Sequence, residues 1–235
     1  MTPRLSIIIP VLHEGGTING TIAQLGALAG EVPIEIIVAD GGPAGDTLAA
    51  ITCGGIGQIR CPPGRGVQMN AGAAEASGDI LLFLHADSLL PPGAGRRIAD
   101  VCADADIAGG AFDLAIHSPR GIFRIIEKAA SARSRATRIP YGDQAIFIKA
   151  DIFRSIGGFR DIPIMEDIDL MRRLKRRGHR IRFVDAAVQT SPRRWEREGI
   201  LYTTLRNYSL STLFYLGVSA ERLKAYYPSF SKPHY

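Results

Sequence analysis

The sequence predicts an α/β protein: a mostly parallel central sheet with helices on both faces and a helical C-terminal tail. Three observations carry that prediction. Short apolar segments of strand type alternate with amphipathic segments through the first half of the chain, the order that builds βαβ crossovers. The run Ile80-Leu81-Leu82-Phe83-Leu84 lacks the polar alternation of a half-exposed strand, so both its faces are expected to be buried, as in the middle of a parallel sheet. Glycine-bearing turns follow the early strands, as at Gly41-Gly42-Pro43, where the chain must turn sharply into the next helix.

Taken in order, residues 5–9 form a buried strand ended by Pro10, and residues 17–28 a helix with Ile18, Ile22, Leu25 and Leu28 on one side. Residues 35–39 form a second strand ending in Asp40, with Pro43 suited to a helix's first position. Residues 57–60 make a third strand, Gly64-Arg65-Gly66 a turn, and residues 67–76 a helix of small side chains leading into the strand at 80–84. Beyond it, Pro91-Pro92-Gly93 opens a helix to residue 103, residues 109–116 and 144–149 read as strands, and residues 122–138 as a basic amphipathic helix between them. The turn Gly157-Gly158-Phe159 and a loop through Pro163 deliver Glu166-Asp167 to a helix ending near Gly178, and residues 181–184 form a last strand. In the tail, residues 200–218 place Leu201, Leu205, Tyr208, Thr212 and Leu216 along one helical face, expected to pack on the domain, on a second copy, or on a membrane surface.

The chain of 235 residues reads as one domain, with no linker-like stretch and no repeat. Its N-terminal apolar run is too short for a signal peptide core, which predicts a cytoplasmic protein. Cys53, Cys61 and Cys102 are odd in number and lack CxxC spacing, so buried free thiols are expected rather than a disulfide framework or a zinc site. A net charge of +5, from arginines concentrated after residue 119, suits anionic partners without choosing among nucleic acid, lipid and phosphorylated small molecules.

Three strand ends carry polar groups: Pro10-Val11-Leu12-His13-Glu14, Asp40-Gly41-Gly42 and His85-Ala86-Asp87. A parallel sheet brings them to one edge, where ligands of open α/β sheets bind. An acid beside a glycine turn can accept hydrogen bonds from a base or ribose. A lone carboxylate can hold Mg²⁺ or Mn²⁺ by one bond and leave positions for phosphate oxygens. Together these describe a nucleotide-diphosphate site; separately, Asp40 reads equally as a helix cap and His85 as a strand-end polar residue. Glu166-Asp167 likewise suits a helix N-terminus whatever the function.

Six phrases in order, Ser6-Ile7-Ile8-Ile9-Pro10, Val38-Ala39-Asp40-Gly41-Gly42, Gly64-Arg65-Gly66 with Met69-Asn70-Ala71-Gly72, Leu82-Phe83-Leu84-His85-Ala86-Asp87, Gly157-Gly158-Phe159 and Met165-Glu166-Asp167-Ile168-Asp169-Leu170, resemble the family-2 glycosyltransferases of GT-A fold over residues 5–185. Gly109-Gly110-Ala111-Phe112 and Tyr141-Gly142-Asp143-Gln144-Ala145 further resemble a bacterial subgroup of short transferases associated with radical-SAM or selenium-domain proteins. The resemblance implies a nucleotide-binding half at 1–90, an acceptor and catalytic half at 91–190 and a helical tail at 191–235. It implies inverting transfer from a UDP- or GDP-linked sugar to an acceptor the sequence does not name, with a divalent metal (Mn²⁺ or Mg²⁺) as cofactor and no nucleic acid as partner. It makes Asp167, with Glu166, the catalytic acid pair and Asp87, with His85, the metal site. Nucleotide contacts fall to Pro10, Leu12, Glu14, Asp40, Arg65, Asn70, His85 and Ala86, and acceptor or diphosphate contacts to Asp143, Gln144, Arg194 and Trp195.

The chain departs from that family pattern at Ala39 for the first acid of Asp-Asp-Gly, His13 for Asn, His85 for the first acid of DXD, and Ser191 for the Gln of QxxRW. An imidazole can ligate a metal or donate a hydrogen bond, but is no second hard anion. Two other readings share the architecture: a sugar-phosphate nucleotidyltransferase, whose Gly-rich basic loop after the first strand is absent here, and a non-catalytic binder of sugar nucleotides.

Overall fold

The computed structural model describes residues 2–227. Seven strands, β1 (Leu5–Val11), β2 (Ile34–Asp40), β3 (Gly57–Arg60), β4 (Ile80–Phe83), β5 (Ile107–Ile116), β6 (Phe147–Lys149) and β7 (Arg180–Thr190), form one sheet in the order β3-β2-β1-β4-β6-β5-β7. All run parallel except β6, which pairs antiparallel with β4 and β5. The helices are α1 (Ile18–Gly26), α2 (Asp46–Ala49), α3 (Arg65–Glu75), α4 (Ala94–Ala103), α5 (Gly121–Thr137), α6 (Ala150–Ser155), α7 (Glu166–Arg176), α8 (Arg193–Glu198), α9 (Ile200–Tyr215) and α10 (Ala220–Lys224).

Alternate residues of the central strands feed two cores, as the pleat requires. Leu5, Ile7, Ile9 and Leu82 pack with Ile18, Ile22 and Leu25 of α1 and Ile98 of α4. Ile8, Leu81 and Phe83 pack with Met69 of α3, Phe153 of α6 and Ile168, Met171 and Leu174 of α7. Helices thus cover both faces, and the strands in between are apolar on both sides, as expected.

Topology fixes the site. The chain leaves β1 toward β2 and β3, then returns to pair β4 on β1's other flank. Between β1 and β4 lies the point where the order reverses, the position at which open α/β sheets bind ligands. Val11 stands opposite Asp40 and Ile8 opposite Phe83, so residues 11–14, 40–42 and 85–87 leave the sheet at one edge.

Several elements differ from expectation. Pro43 lies in a turn, and α2 begins only after Gly45 at φ 66°. Arg65 is the first residue of α3 rather than part of the turn. A 3₁₀ turn at Gly142–Gln144 shortens the predicted strand to Phe147–Lys149, and α6 follows it unheralded. The last strand continues to Thr190, paired with β5 through register shifts that break its alternation. Of the cysteines, Cys102 is buried but Cys53 is exposed.

Of the three expected packing partners of the tail's leucine stripe, the domain itself is the one the structure does not show. Leu201, Leu205 and Leu216 are 72%, 66% and 76% exposed, whereas Thr203, Arg206, Leu210 and Ser211 are buried. Arg206, paired with Glu198 at 2.7 Å and facing the Tyr202 and Tyr227 rings, sets the orientation of α9. A buried ion pair left half-broken costs more than an exposed leucine. Leu210, with Ala220 and Leu223 of α10, packs on Ile164 in the loop before α7, so the tail buttresses the segment carrying Glu166-Asp167. No helix among the described residues is long and apolar enough to cross a membrane.

Candidate active site

Asp40 ends β2 fully buried. Its Oδ1 accepts the Gly42 N–H at 2.7 Å, while Oδ2 is buried with no hydrogen-bond partner. A buried carboxylate oxygen without a donor is costly. Gln68 of α3 donates to the Val11 and Ala39 carbonyls at 2.6 and 2.9 Å and ties the ends of β1 and β2 together. A Cβ on Gly41 would lie 2.9 Å from Pro63 Cα. Pro10 is partly exposed and Leu12 exposed at the same rim. His13, in the left-handed region at φ 57°, bonds Asp46 through Nδ1 at 2.8 Å and holds that carboxyl below its usual range.

Across the switch point, the Ala86 carbonyl accepts from the Thr21 hydroxyl. Asp87 Oδ2 accepts from Arg193 at 3.1 Å, and the same guanidinium lies 3.5 Å from Glu14 Oε2. His85 points elsewhere: its ring lines a small cavity with Met69, Phe83, Gly142, Phe159, Glu166 and Asp167. Burial, then the charge of Arg65, pulls its pKa down to about 4, so the imidazole is neutral at pH 7. Among the described residues no three His, Cys, Asp or Glu side chains converge as a metal-ligand set. With Asp87 paired to Arg193 and His85 in a different cavity, the side chains present do not fit the two-residue metal site expected at His85 and Asp87.

Glu166 and Asp167 open α7, entered through Met165 at φ 66°. Asp167 is partly exposed; its Oδ2 accepts the Gly142 N–H at 2.6 Å and its Oδ1 the Ile168 N–H at 2.7 Å. Glu166 is only 3% exposed, with Oε1 3.6 Å from Arg65. Of the two acids, Asp167 is the more exposed. Asp143 flanks it, its pKa pushed up to about 6 by burial against the opposing charge of Arg133, and Arg133 stacks on Tyr141 with Cζ 3.3 Å from the ring centroid.

The sequence profile of Glycosyl transferase family 2 matches residues 6–160. The chain belongs to glycosyl transferase family 2. Glucosyl-3-phosphoglycerate synthases are similar over 96 residues: that of Mycobacterium tuberculosis strain H37Rv at 30% identity, covering 37% of this chain and 30% of that protein, and that of Mycolicibacterium paratuberculosis at 28% and 29%. The chain thus spans under a third of the curated relatives it matches. Among solved structures, a mannosyltransferase from Pyrobaculum calidifontis, in complex with GDP-Man and Mn²⁺, aligns with TM-score 0.59 at 22% identity over 80% of this chain and 57% of its own. Residues 1–349 of S. aureus TarS align with TM-score 0.62 at 16% identity, over 86% and 63%. The fold is GT-A, as expected.

Three expected ligand contacts of this family-2 chain are held by partners within the fold. Asn70 is engaged at both ends of its amide by Phe159, donating to its carbonyl at 2.8 Å and accepting its N–H at 2.9 Å. Gln144 is fully buried; its Oε1 accepts from Ser134 and from the Tyr141 N–H, and its Nε2 donates to the Phe112 carbonyl. Trp195 packs edge-on against Phe123, centroids 5.9 Å apart, with Nε1–H bonded to Thr204. Asn70→Ala is therefore expected to cost about 1–3 kcal/mol of stability in denaturant unfolding and to leave nucleotide affinity unchanged by calorimetry. One cation of the site escaped sequence reasoning: Lys224 of α10, whose charge acts on Glu166 from a segment without a motif.

Burial raises the pKa of Glu166 to about 7, with Arg65 opposing and Asp167 adding. A carboxyl whose folded pKa stands above its unfolded value holds its proton more tightly in the native state, so its contribution to stability falls as pH rises from the ordinary glutamate value of 4.5 to about 7. Glu166→Gln is expected to raise the Tm over that of the parent near pH 8 by more than near pH 5, measured by thermal unfolding. The lost contact to the exposed Arg65 is worth little.

Proposed function

We propose that this chain is an inverting glycosyltransferase that moves a sugar from a UDP- or GDP-linked donor to an acceptor hydroxyl. The observation that carries the reading is the placement of Asp167: partly exposed, oriented by the Gly142 N–H at 2.6 Å, and lining one small cavity with His85, which follows β4 at the switch-point edge of the sheet. In that reading the ring N–H of the donor's base meets the unpartnered Asp40 Oδ2. The acceptor oxygen attacks the anomeric carbon from the face opposite the diphosphate while its proton passes to Asp167. The bond from that carbon to the diphosphate oxygen breaks with its electron pair going to the diphosphate, which needs charge neutralisation rather than a proton. Orientation of donor and acceptor in one cleft supplies much of the remaining rate.

The GDP-Man held by the mannosyltransferase of similar fold supports the donor class. Gly109-Gly110-Ala111-Phe112 and the Tyr141 to Ala145 turn support placement in the short-chain, radical-SAM-associated subgroup. The test is incubation with UDP- and GDP-sugars in the absence of acceptor. Slow release of nucleoside diphosphate above the uncatalysed rate is the expected result; no release from any donor, with or without Mn²⁺, contradicts the reading.

A further inference from the structure

The carboxylate that the family pattern gives to a metal is already paired with a side chain of this protein. Arg193 donates to Asp87 at 3.1 Å and stands 3.5 Å from Glu14, so one guanidinium sits between the ends of β1 and β4. At 54% exposure it remains open toward the cleft. Further cations are Arg65 in the first turn of α3, 3.6 Å from Glu166, Arg194, which follows Arg193 in α8, and Lys224 of α10, whose charge also acts on Glu166. Their charges act on one another. Arg194 is held down to about 10 by burial and then by Arg65, and Lys224 is held below its usual range by burial, then Arg65 and Arg194. Arg65, Arg194 and Lys224 thus lie close enough to feel one another's charge, a basic cluster that favours an anion, while Arg193 is held charged by Asp87 and Glu14.

We propose that Arg193, with Arg65, Arg194 and Lys224, takes the place of the divalent cation: these side chains hold the donor's diphosphate and neutralise the leaving group, so donor binding and transfer here are independent of metal. This rests on the nucleotide-sugar reading above. As the bond from the anomeric carbon to the diphosphate oxygen breaks, the electron pair settles on the diphosphate, and guanidinium N–H groups meet the growing charge by charge-assisted hydrogen bonds. The new bond forms to the acceptor oxygen, whose proton goes to Asp167. No other reactant is required. Three of the four cations, Arg193, Arg194 and Lys224, lie on α8 and α10, so the helical tail completes the donor site.

The experiment is calorimetric titration of UDP and GDP into the intact chain, in excess EDTA and in saturating Mn²⁺, for the parent, Arg193→Gln and Lys224→Gln, with thermal unfolding as the folding control. The parent is expected to bind one of the two with affinities that agree within about twofold in both buffers. Arg193→Gln is expected to lose about tenfold or more in EDTA and to regain affinity in Mn²⁺, because Asp87 and Glu14 are left as free carboxylates; a purely structural role creates no such metal dependence. Lys224→Gln is expected to weaken binding equally in both buffers. Parent binding that requires Mn²⁺, or unchanged binding by Arg193→Gln in EDTA, overturns the inference and leaves the nucleotide-sugar reading standing. Absence of UDP and GDP binding in both buffers overturns both.

Discussion

Asp167→Asn is expected to slow sugar transfer by about 10²–10⁴-fold, the range for removing a general base, while nucleotide affinity stays close to that of the parent. Asparagine keeps the shape and one of the two oxygens that accept from Gly142 and Ile168, so the start of α7 is preserved and only the basic lone pair is lost. The measurement is initial rate at saturating donor beside calorimetric binding of the nucleoside diphosphate. Glu166→Gln serves as the comparison: Glu166 is buried, and burial raises its pKa to about 7, so this substitution is expected to cost less. A variant at position 167 that transfers at the parent rate would remove Asp167 from the mechanism.

Gly110→Val is expected to destabilise the fold by more than about 3 kcal/mol, the range for overpacking a core position with backbone displacement. A Cβ at Gly110 would land on the Arg182 carbonyl oxygen and 2.7 Å from Phe147 Cζ, and one at Gly109 on the Phe147 carbonyl oxygen. These glycines let β5 pair with β6 and β7, and β6 directly follows the Gly142 turn that orients Asp167. Denaturant unfolding should show the loss as a lower midpoint. Stability within about 0.5 kcal/mol of the parent would contradict the close approach.

The legible part of this protein is the part whose constraints are local in sequence. Strands β1, β2 and β4 are two-face-buried runs, and Asp40, Asp87 and Asp167 stand at element ends, where hydropathy breaks into polar residues. What was hidden depends on partners far along the chain. The pairing of Asp87 with Arg193 was hidden because Arg193, 106 positions away, contributes nothing to the local pattern around that carboxylate. Asn70 and Gln144 looked like ligand contacts because their backbone partners at Phe159 and Phe112 appear only on folding. The leucine stripe of α9 left the domain, a second copy and a membrane surface as packing partners, and the Arg206–Glu198 pair, which turns the opposite face of the helix onto the domain, is not legible in that stripe. The second half of β7 lost its alternation to the register shifts against β5.

The most direct measurement of the central claim is a thermal-unfolding screen of the parent chain against UDP, GDP and their sugar conjugates, repeated with Asp40→Ala. Ligand binding to the native state stabilises by about 2.7 kcal/mol at a hundredfold excess over Kd, roughly 2–4 °C of Tm per kcal/mol for a chain of this size. One nucleotide series is predicted to raise the Tm of the parent by several degrees, and Asp40→Ala is predicted to abolish the shift. A parent chain that no nucleotide or nucleotide sugar stabilises would contradict the account.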